Sequence, residues 1–301
     1  MLRALRGVAL LLAALATAPS AAVQVKDDRG VVVDVTAPPA RIVALSPHLS
    51  EIVFAAGAGA QLAAVVRFSD YPEQARRLPQ VGDASRIDLE RVLTLKPDLI
   101  LGWQSGNPAG DLERLERLGL RVFVSEPHRL PDIARLIRTI GELAGTRAVA
   151  DKAAAAFESD LESLRARYST RAVVSVFYEI WHRPLLTVNR AHIISDVLAL
   201  CGGKNVFADA AVLTPSVSLE AVLAARPQVI LGGGSATHAD QLISQWEQAP
   251  AAALRNIPVR YVPADLIQRQ TPRILEGARV VCAHLEEVRG AGERSGVSGQ
   301  R

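Results

Sequence analysis

Phe68 and Trp103 are large aromatics set in polar stretches, Phe68-Ser-Asp-Tyr-Pro72 and Trp103-Gln-Ser-Gly-Asn107. Aromatics make up only 4% of the chain, so their placement outside apolar runs marks them as contact residues. Pro47 and His48, Trp181 and His182, and the pair Asp265 and Arg269 add imidazoles, another indole and opposite charges in comparable loops. Aromatic walls with a few polar groups suit capture of a bulky, flat ligand with an apolar rim. Asp265 and Arg269 are four apart, a spacing that equally fits a local ion pair on a helix. No covalent chemistry is indicated: HExxH, GxSxG, a Walker loop and a helix-opening GxGxxG are all missing. Gly232-Gly-Gly234 lacks the Lys-Ser/Thr of a phosphate loop and reads as a tight turn. The histidines (His48, His128, His182, His192, His238, His284) have no metal-ligand spacing, and no metal site is expected.

Two carboxylates stand out for a different reason. Leu89-Glu-Arg-Val-Leu-Thr-Leu-Lys-Pro-Asp-Leu-Ile-Leu-Gly102 returns 130 residues later as Leu219-Glu-Ala-Val-Leu-Ala-Ala-Arg-Pro-Gln-Val-Ile-Leu-Gly232, identical at eight of fourteen positions. Each copy reads as a capped helix (Asp88 or Ser218 first), a proline turn and a buried strand. Each places a glutamate, Glu90 or Glu220, in the first helical turn. Copies this far apart imply two lobes of similar build, not a solenoid. A first-turn carboxylate is accounted for by the helix dipole, worth about 0.3–1 kcal/mol. That does not explain why both lobes carry one.

The elements between these residues alternate strand and helix, which predicts α/β lobes with parallel-rich sheets flanked by helices. Val23 to Val35 reads as a hairpin and Arg41 to Leu45 as a buried strand. Ser46-Pro47 reads as a serine cap with proline at the first helical position. Leu62 to Val66, Asp98 to Gly102 and Leu120 to Val124 follow as strands, with helices over Asp88–Leu95, Asp111–Leu118 and Pro131–Ala144. Thr146 to Tyr168 has seven alanines, many charges and no glycine or proline, so it reads as one long connector helix. The second lobe repeats the alternation: strands at Ala172–Tyr178, Leu185–Val188, Gln228–Gly232 and Val259–Val262, and helices at Ala191–Cys201, Ser218–Ala225 and Ala239–Gln248. Thr271-Pro272 opens a final helix by the same serine/threonine-proline device as Ser46-Pro47. Ligand-holding loops of open α/β sheets lie past strand C-termini, where the residues named above fall.

With 301 residues and 49% apolar content, the chain has material for two sizeable cores. Arg3 and Arg6, the apolar run Val8 to Ala16 and the small residues up to Ala22 read as a cleavable signal peptide over 1–22. The remaining divisions are an N-terminal ligand-binding lobe at 23–145, the connector at 146–169, a C-terminal ligand-binding lobe at 170–289 and a disordered Gly/Ser/Arg-rich tail at 290–301. Without Arg3 and Arg6 the balance is 32 basic to 31 acidic residues, and no basic stripe with interleaved aromatics points to nucleic acid. Cys201 and Cys282 are far apart in sequence. An exported chain could bridge them or bury both as thiols.

Taken together, several motifs carry a family resemblance. They are Arg41-Ile-Val-Ala-Leu-Ser-Pro47, Ser69-Asp-Tyr-Pro72, Leu89-Glu90, Lys96-Pro-Asp98, Trp103 with Gly106-Asn107, Cys201-Gly-Gly203, Asn205-Val-Phe207 and Thr271-Pro-Arg-Ile274. In this order, over nearly the whole mature chain, they resemble the helical-backbone (class III) substrate-binding proteins of ABC importers. The Ser-Asp-Tyr-Pro and Trp-x-x-Gly-Asn combination resembles the cobalamin (vitamin B12) branch. The resemblance implies a monomeric periplasmic protein without enzymatic activity or cofactor. It would capture cobalamin between two lobes and deliver it to a permease homodimer with its ATPase subunits. It further implies a Cys201–Cys282 bridge, and a corrin cleft lined by Pro47, His48, Phe68, Trp103, Asp265 and Arg269. It also implies that Glu90 and Glu220 meet permease arginines. Aromatic positions of the branch fall here on Ala84, Leu186 and Thr214, with Trp181 and His182 as replacements from the second lobe. The alternative is a haem- or ferric-siderophore-binding protein of the same fold. Haem iron could take His48, Tyr178 or His182, and a siderophore would favour arginines such as Arg269, Arg67 and Arg183. A secreted α/β enzyme is the distant alternative.

Overall fold

The computed structural model describes residues 22–234 and 239–298, with side chains through residue 291. The expected signal peptide lies outside the described residues, apart from Ala22.

A hairpin, β1 (Val23–Lys26) with β2 (Val32–Val35), turns at Gly30, whose φ of 82° is a left-handed conformation open to glycine. The first lobe then lays down β3 (Ile42–Ala44), α1 (Pro47–Ala55), β4 (Leu62–Ala64), the short hairpin β5 (Gly82–Asp83) and β6 (Arg86–Ile87), α2 (Leu89–Thr94), β7 (Leu99–Trp103), α3 (Ala109–Arg117), β8 (Val122–Ser125) and α4 (Leu130–Ala144). Helix α5 (Arg147–Tyr168) leads into the second lobe. There the order is β9 (Val174–Glu179), α6 (Ile193–Leu200), β10 (Gly203–Asn205), α7 (Leu219–Ala225), β11 (Val229–Gly234), α8 (Ala239–Glu247), α9 (Ala252–Arg255), β12 (Val259–Pro263), α10 (Ala264–Ile267) and α11 (Ile274–Ser298).

Both four-stranded sheets are wholly parallel and have the same plan. The first runs β4-β3-β7-β8 and the second β10-β9-β11-β12, so in each the strands stand in the order second, first, third, fourth. Each sheet therefore has its topological switch between its first and third strands, β3 and β7 in one and β9 and β11 in the other. A crevice opens there at the carboxyl ends. The repeated stretch supplies the same piece in both lobes: α2 into β7, and α7 into β11. Its buried valine and isoleucine, Val92 and Ile100 in one copy and Val222 and Ile230 in the other, enter equivalent cores on the outer faces of the two sheets.

The inner faces share a single core. It runs from Ile42 and Ile137 through Phe157 and Leu161 of α5 to Val176, Val197 and Val281. The inward residues of α5 (Ala150, Ala154, Phe157, Leu161, Leu164, Tyr168) recur every three or four positions and pack along α4. At the tightest point a Cβ on Gly141 of α4 would fall 2.1 Å from that of Ala150, so only glycine allows the approach. The helix also touches α1 of the first lobe and α6 and α11 of the second. Cys201 and Cys282 form a disulfide with Cα atoms 4.8 Å apart, pinning α11 to the end of α6.

Several local expectations are corrected. Leu185–Val188 is not a strand, because Leu186 makes only isolated bridges to Trp181 and Ser216. The second lobe's edge strand is instead β10, three residues directly after the Gly202 turn and too short to show a pattern. Gly232 to Gly234 continue β11 and are not a tight turn. There the missing side chains admit Leu242 at Gly232, and Tyr178 and Gln268 at Gly233. Ser46 precedes α1 but does not cap it, since its hydroxyl is engaged with His48. Thr271 Oγ1 likewise finds no hydrogen-bond partner. Helix α11 continues through Gly290 to Ser298, past the point where the tail was expected to begin. Ala291, Glu293 and Arg294 are ordinary helix formers, and they carry the helix over the glycines.

Candidate functional site

At the carboxyl ends of β3 and β7 the chain builds a rigid aromatic floor. Strand β3 runs out through Leu45 into Ser46-Pro47, and α1 begins, which turns His48 inward to 2% exposure. Its Nδ1 lies 2.6 Å from Ser46 Oγ. Its ring meets Trp103 edge-on, with centroids 5.2 Å apart and planes at 85°. Trp103 is the last residue of β7 and is held by its own motif. The Trp103 amide donates to Asn107 Oδ1 at 2.7 Å, and Asn107 Nδ2 donates to the carbonyls of Leu45 and Ala84, both at 2.8 Å. Gly106 lies against the indole, where any Cβ would overlap ring atom Cε3. The Gly-Asn pair thus fixes one rotamer of the tryptophan. Burial, reinforced by the charge of Arg269, pushes the His48 pKa down to about 3, so the imidazole is neutral. His48 Nε2 and Trp103 Nε1 are both buried and have no protein partner.

Phe68 lies on the loop after β4. It is 65% exposed and holds a φ of 68°, a left-handed backbone uncommon for a bulky residue. Strain of that kind persists where the surroundings impose it, and here it presents a phenyl ring to solvent.

A cluster of charges joins the two lobes beside the floor. Arg269, in the turn after α10, donates Nη1 to Asp70 Oδ1 at 2.7 Å and to Glu51 Oε1 at 3.2 Å. Its Nη2 reaches Asp265 Oδ1 at 2.7 Å, so the local i,i+4 pair forms as one arm of a larger network. Arg273 grips Glu51 in bidentate fashion, Nε to Oε2 at 2.9 Å and Nη2 to Oε1 at 2.7 Å, and lies 4.1 Å from the ring centre of Tyr71. Glu51 is a buried residue of α1. Burial works against the Arg269 charge, but hydrogen bonding to Asp70 and the surrounding carboxylates outweigh it and raise its pKa. Hydrogen bonding to Glu51 does the same for Arg273. Glu51, Asp70, Tyr71 and Arg273 are not among the site residues expected from sequence, although the last three stand in motifs that carry the family resemblance. Two signals were present: a glutamate on the apolar side of a short helix, and a second arginine four residues after Arg269.

In the second lobe, Trp181 and His182 line a cavity of about 590 Å³ at the carboxyl ends of β9 and β11, with Glu179, Arg183, Gly233 and Gly234. Trp181 is 62% exposed, its Nε1 donating to the Arg183 carbonyl at 2.9 Å. Its backbone bridges Leu186, a position where the resemblance calls for an aromatic. Glu179 is buried. Its Oε2 accepts from Trp246 Nε1 at 2.6 Å, and its Oε1 lies 3.2 Å from His182 Nδ1. Burial raises the Glu179 pKa, with His182 and the Trp246 hydrogen bond opposing the rise. The structure thus brings His48 to Trp103 and Arg269 to Asp265, and sets Trp181 and His182 in a cavity lined by the second lobe alone. Among the described residues, no group of three or more His, Cys, Asp or Glu could hold a metal.

Glu90 and Glu220 lie away from both groups, exposed on α2 and α7. The caps below them are as expected: Asp88 Oδ1 accepts from the Arg91 amide at 3.0 Å and Ser218 Oγ from the Ala221 amide at 3.2 Å. A hydrogen bond with Ser218 lowers the Glu220 pKa. Among the described residues neither glutamate takes part in an ion pair.

Residues 42–266 match the family described as periplasmic binding protein, which spans both sheets and the site as far as Asp265. The chain belongs to this family. Like other periplasmic binding proteins it is not an enzyme, and it carries a transported ligand, not a cofactor. It is 39% identical over 249 residues to the vitamin B12-binding protein of Vibrio cholerae serotype O1, covering 83% of this chain and 90% of that one. The crystal structure of periplasmic vitamin B12-binding protein BtuF of Vibrio cholerae superposes with a TM-score of 0.76 at 38% identity, covering 84% and 98%. The periplasmic haem-binding protein RhuT from Roseiflexus sp. RS-1 superposes at 0.71 but is only 24% identical, over 82% and 98%, and shows the fold alone. Among the described residues no helix is long and apolar enough to cross a membrane.

Proposed function

We propose that this periplasmic binding protein captures cobalamin between its lobes and hands it to the permease of an ABC importer. The observation that carries the reading is the Trp103 floor, locked by Gly106 and Asn107 against His48. The likeness to proteins named for vitamin B12 supports it. A corrin is flat and apolar-rimmed with amide arms. An edge-packed indole, an exposed phenyl and an exposed Trp181 supply the walls. The neutral His48 and the polar groups around Arg269 and Asp265 suit amides better than anions, because the Arg269 donors are already neutralised by three carboxylates. That neutralisation also speaks against an anionic ferric siderophore. Of the candidate haem ligands, Tyr178 is fully buried beneath Gly233 and His48 is nearly so, which leaves only His182 in the open cavity.

The ligand contacts in this reading are Pro47, His48, Phe68, Trp103, Trp181, His182, Asp265 and Arg269. The chain acts as a monomer, exported by the signal peptide at its N-terminus. Glu90 and Glu220 dock it, one per lobe, on a permease homodimer joined to its ATPase subunits. A twofold partner offers the same cationic patch twice, and a two-lobed monomer answers it with one carboxylate per lobe. The test is titration of the mature protein with cobalamin, haem and ferric siderophores, followed by tryptophan quenching and calorimetry. Tight cobalamin binding is expected. Tight haem binding without cobalamin binding would sink the reading.

A further inference from the structure

The likeness between α2 and α7 goes beyond the glutamates. Residues 88–100 and 218–230 have the same degree of burial at eleven of thirteen positions, so the two segments sit in equivalent surroundings. Five positions of the repeat are exposed in both copies: 88/218, 90/220, 93/223, 94/224 and 96/226. Three have diverged, Asp88 to Ser218, Thr94 to Ala224 and Lys96 to Arg226. Two are identical, Glu90 with Glu220 and Leu93 with Leu223. Buried identities such as Val92 and Val222 follow from packing. Solvent imposes no such constraint on a leucine.

The exposures are also matched, 38% at Leu93 and 37% at Leu223. Of the three leucines this exposed among the described residues, two occupy this one place in the repeat, and neither joins the cores beneath it. A single exposed leucine needs no explanation. Duplication of a lobe does not account for these either, because it left the other exposed positions free to drift. On each helix the leucine is three residues after the glutamate, one turn along the same face. Thr94 or Ala224 beside it is small enough to leave the leucine standing proud.

We infer that Leu93 and Leu223 are the apolar half of a duplicated docking footprint. Each lobe offers a carboxylate and a leucine one turn apart to a twofold-symmetric membrane permease, which presents a cation beside an apolar recess twice. The inference rests on the docking role of Glu90 and Glu220. The acid steers and orients the encounter, and the leucine, once covered, contributes contact energy that salt does not screen.

The test compares Leu93→Gln with Leu223→Gln against Glu90→Ala with Glu220→Ala, in full-length mature protein. The readout is binding to the cobalamin permease–ATPase complex of the same bacterium in phospholipid nanodiscs. Glutamine keeps helix propensity, and both leucines are outside the cores, so melting temperature and cobalamin affinity should match the wild type. The leucine pair should weaken the complex about tenfold, a typical effect for two apolar contacts at an interface. That loss should be equal at low and high salt, whereas the glutamate pair's loss should shrink as salt rises. Binding within twofold of wild type for the leucine pair, with the glutamate pair impaired, would overturn the inference and leave docking through the acids intact. Unimpaired binding by both pairs would overturn the docking reading and the inference with it.

Discussion

Arg273 of the second lobe holds Glu51 of the first through two parallel hydrogen bonds, 2.9 and 2.7 Å, with Arg269 adding a third contact to the same carboxylate. The carboxylate is almost wholly withdrawn from water. Removing it strands the mostly covered guanidinium of Arg273 and takes one of three carboxylates from Arg269. Glu51→Ala is expected to cost about 2–3 kcal/mol. In a thermal melt the midpoint should fall by roughly 5–10 °C. An unchanged midpoint would mean that the network is as weak as ordinary surface pairs.

His48 gives the fold an acid sensitivity of defined sign. Its folded-state pKa of about 3 lies below the ordinary value near 6.5, so the unfolded chain takes up a proton that the native state refuses. The contribution is complete above about pH 6.5 and is lost progressively as pH falls toward about 3. His192, lowered to about 4 by burial and by the charge of His128, moves the same way. The measurement is therefore a difference. The melting temperature of His48→Gln should decline less steeply between about pH 6.5 and about pH 4 than that of the wild type. Parallel declines would show that His48 does not titrate as described.

Trp181 separates binding from stability. Its side chain is largely in water and donates only to a neighbouring carbonyl, so Trp181→Ala should change stability by less than about 0.5 kcal/mol. If it forms a wall for cobalamin, affinity should fall roughly tenfold, the scale of one lost aromatic contact. Trp103→Ala should weaken binding too. Unlike Trp181→Ala it should also destabilise the fold, since it empties the space between His48 and Gly106.

The disulfide ties together segments 81 residues apart in sequence. Replacing both cysteines with serine should cost about 2–4 kcal/mol in denaturant unfolding, chiefly by freeing the unfolded chain. Ligand affinity should be retained, because both cysteines are buried within the shared inner core and neither is among the ligand contacts named above.

Much of this architecture could be read from residue patterns. Strand-helix alternation gave the α/β class, and the repeated stretch gave two lobes of one plan. The unbroken run from Thr146 to Tyr168 gave the connector. Trp103 and Phe68 stood out because large aromatics in polar loops are rare here. What stayed hidden depends on contacts between distant segments. Glu51 lies 218 residues from Arg269 and 222 from Arg273, and no local pattern marks such a partnership. Glu179 ends an apolar strand, and its burial becomes intelligible only once Trp246 is seen to reach it. Ser46 followed by proline has a capping signature, yet its hydroxyl serves His48. A sequence pattern cannot weigh a backbone amide against an imidazole two residues away.

The continuous core that runs through α5 into both lobes determines how such a site works in time. Prising the lobes apart would wet Phe157, Leu161 and their neighbours and break the grip of Arg273 on Glu51. The aperture between the lobes is therefore set before any ligand arrives. Capture then proceeds in a single bimolecular step, with a rate that climbs linearly with ligand concentration and no plateau from a slow opening. The opposite event is the difficult one. A stiff vessel loses its cargo unaided only at the pace its affinity sets, so faster unloading requires a partner that does mechanical work on this core.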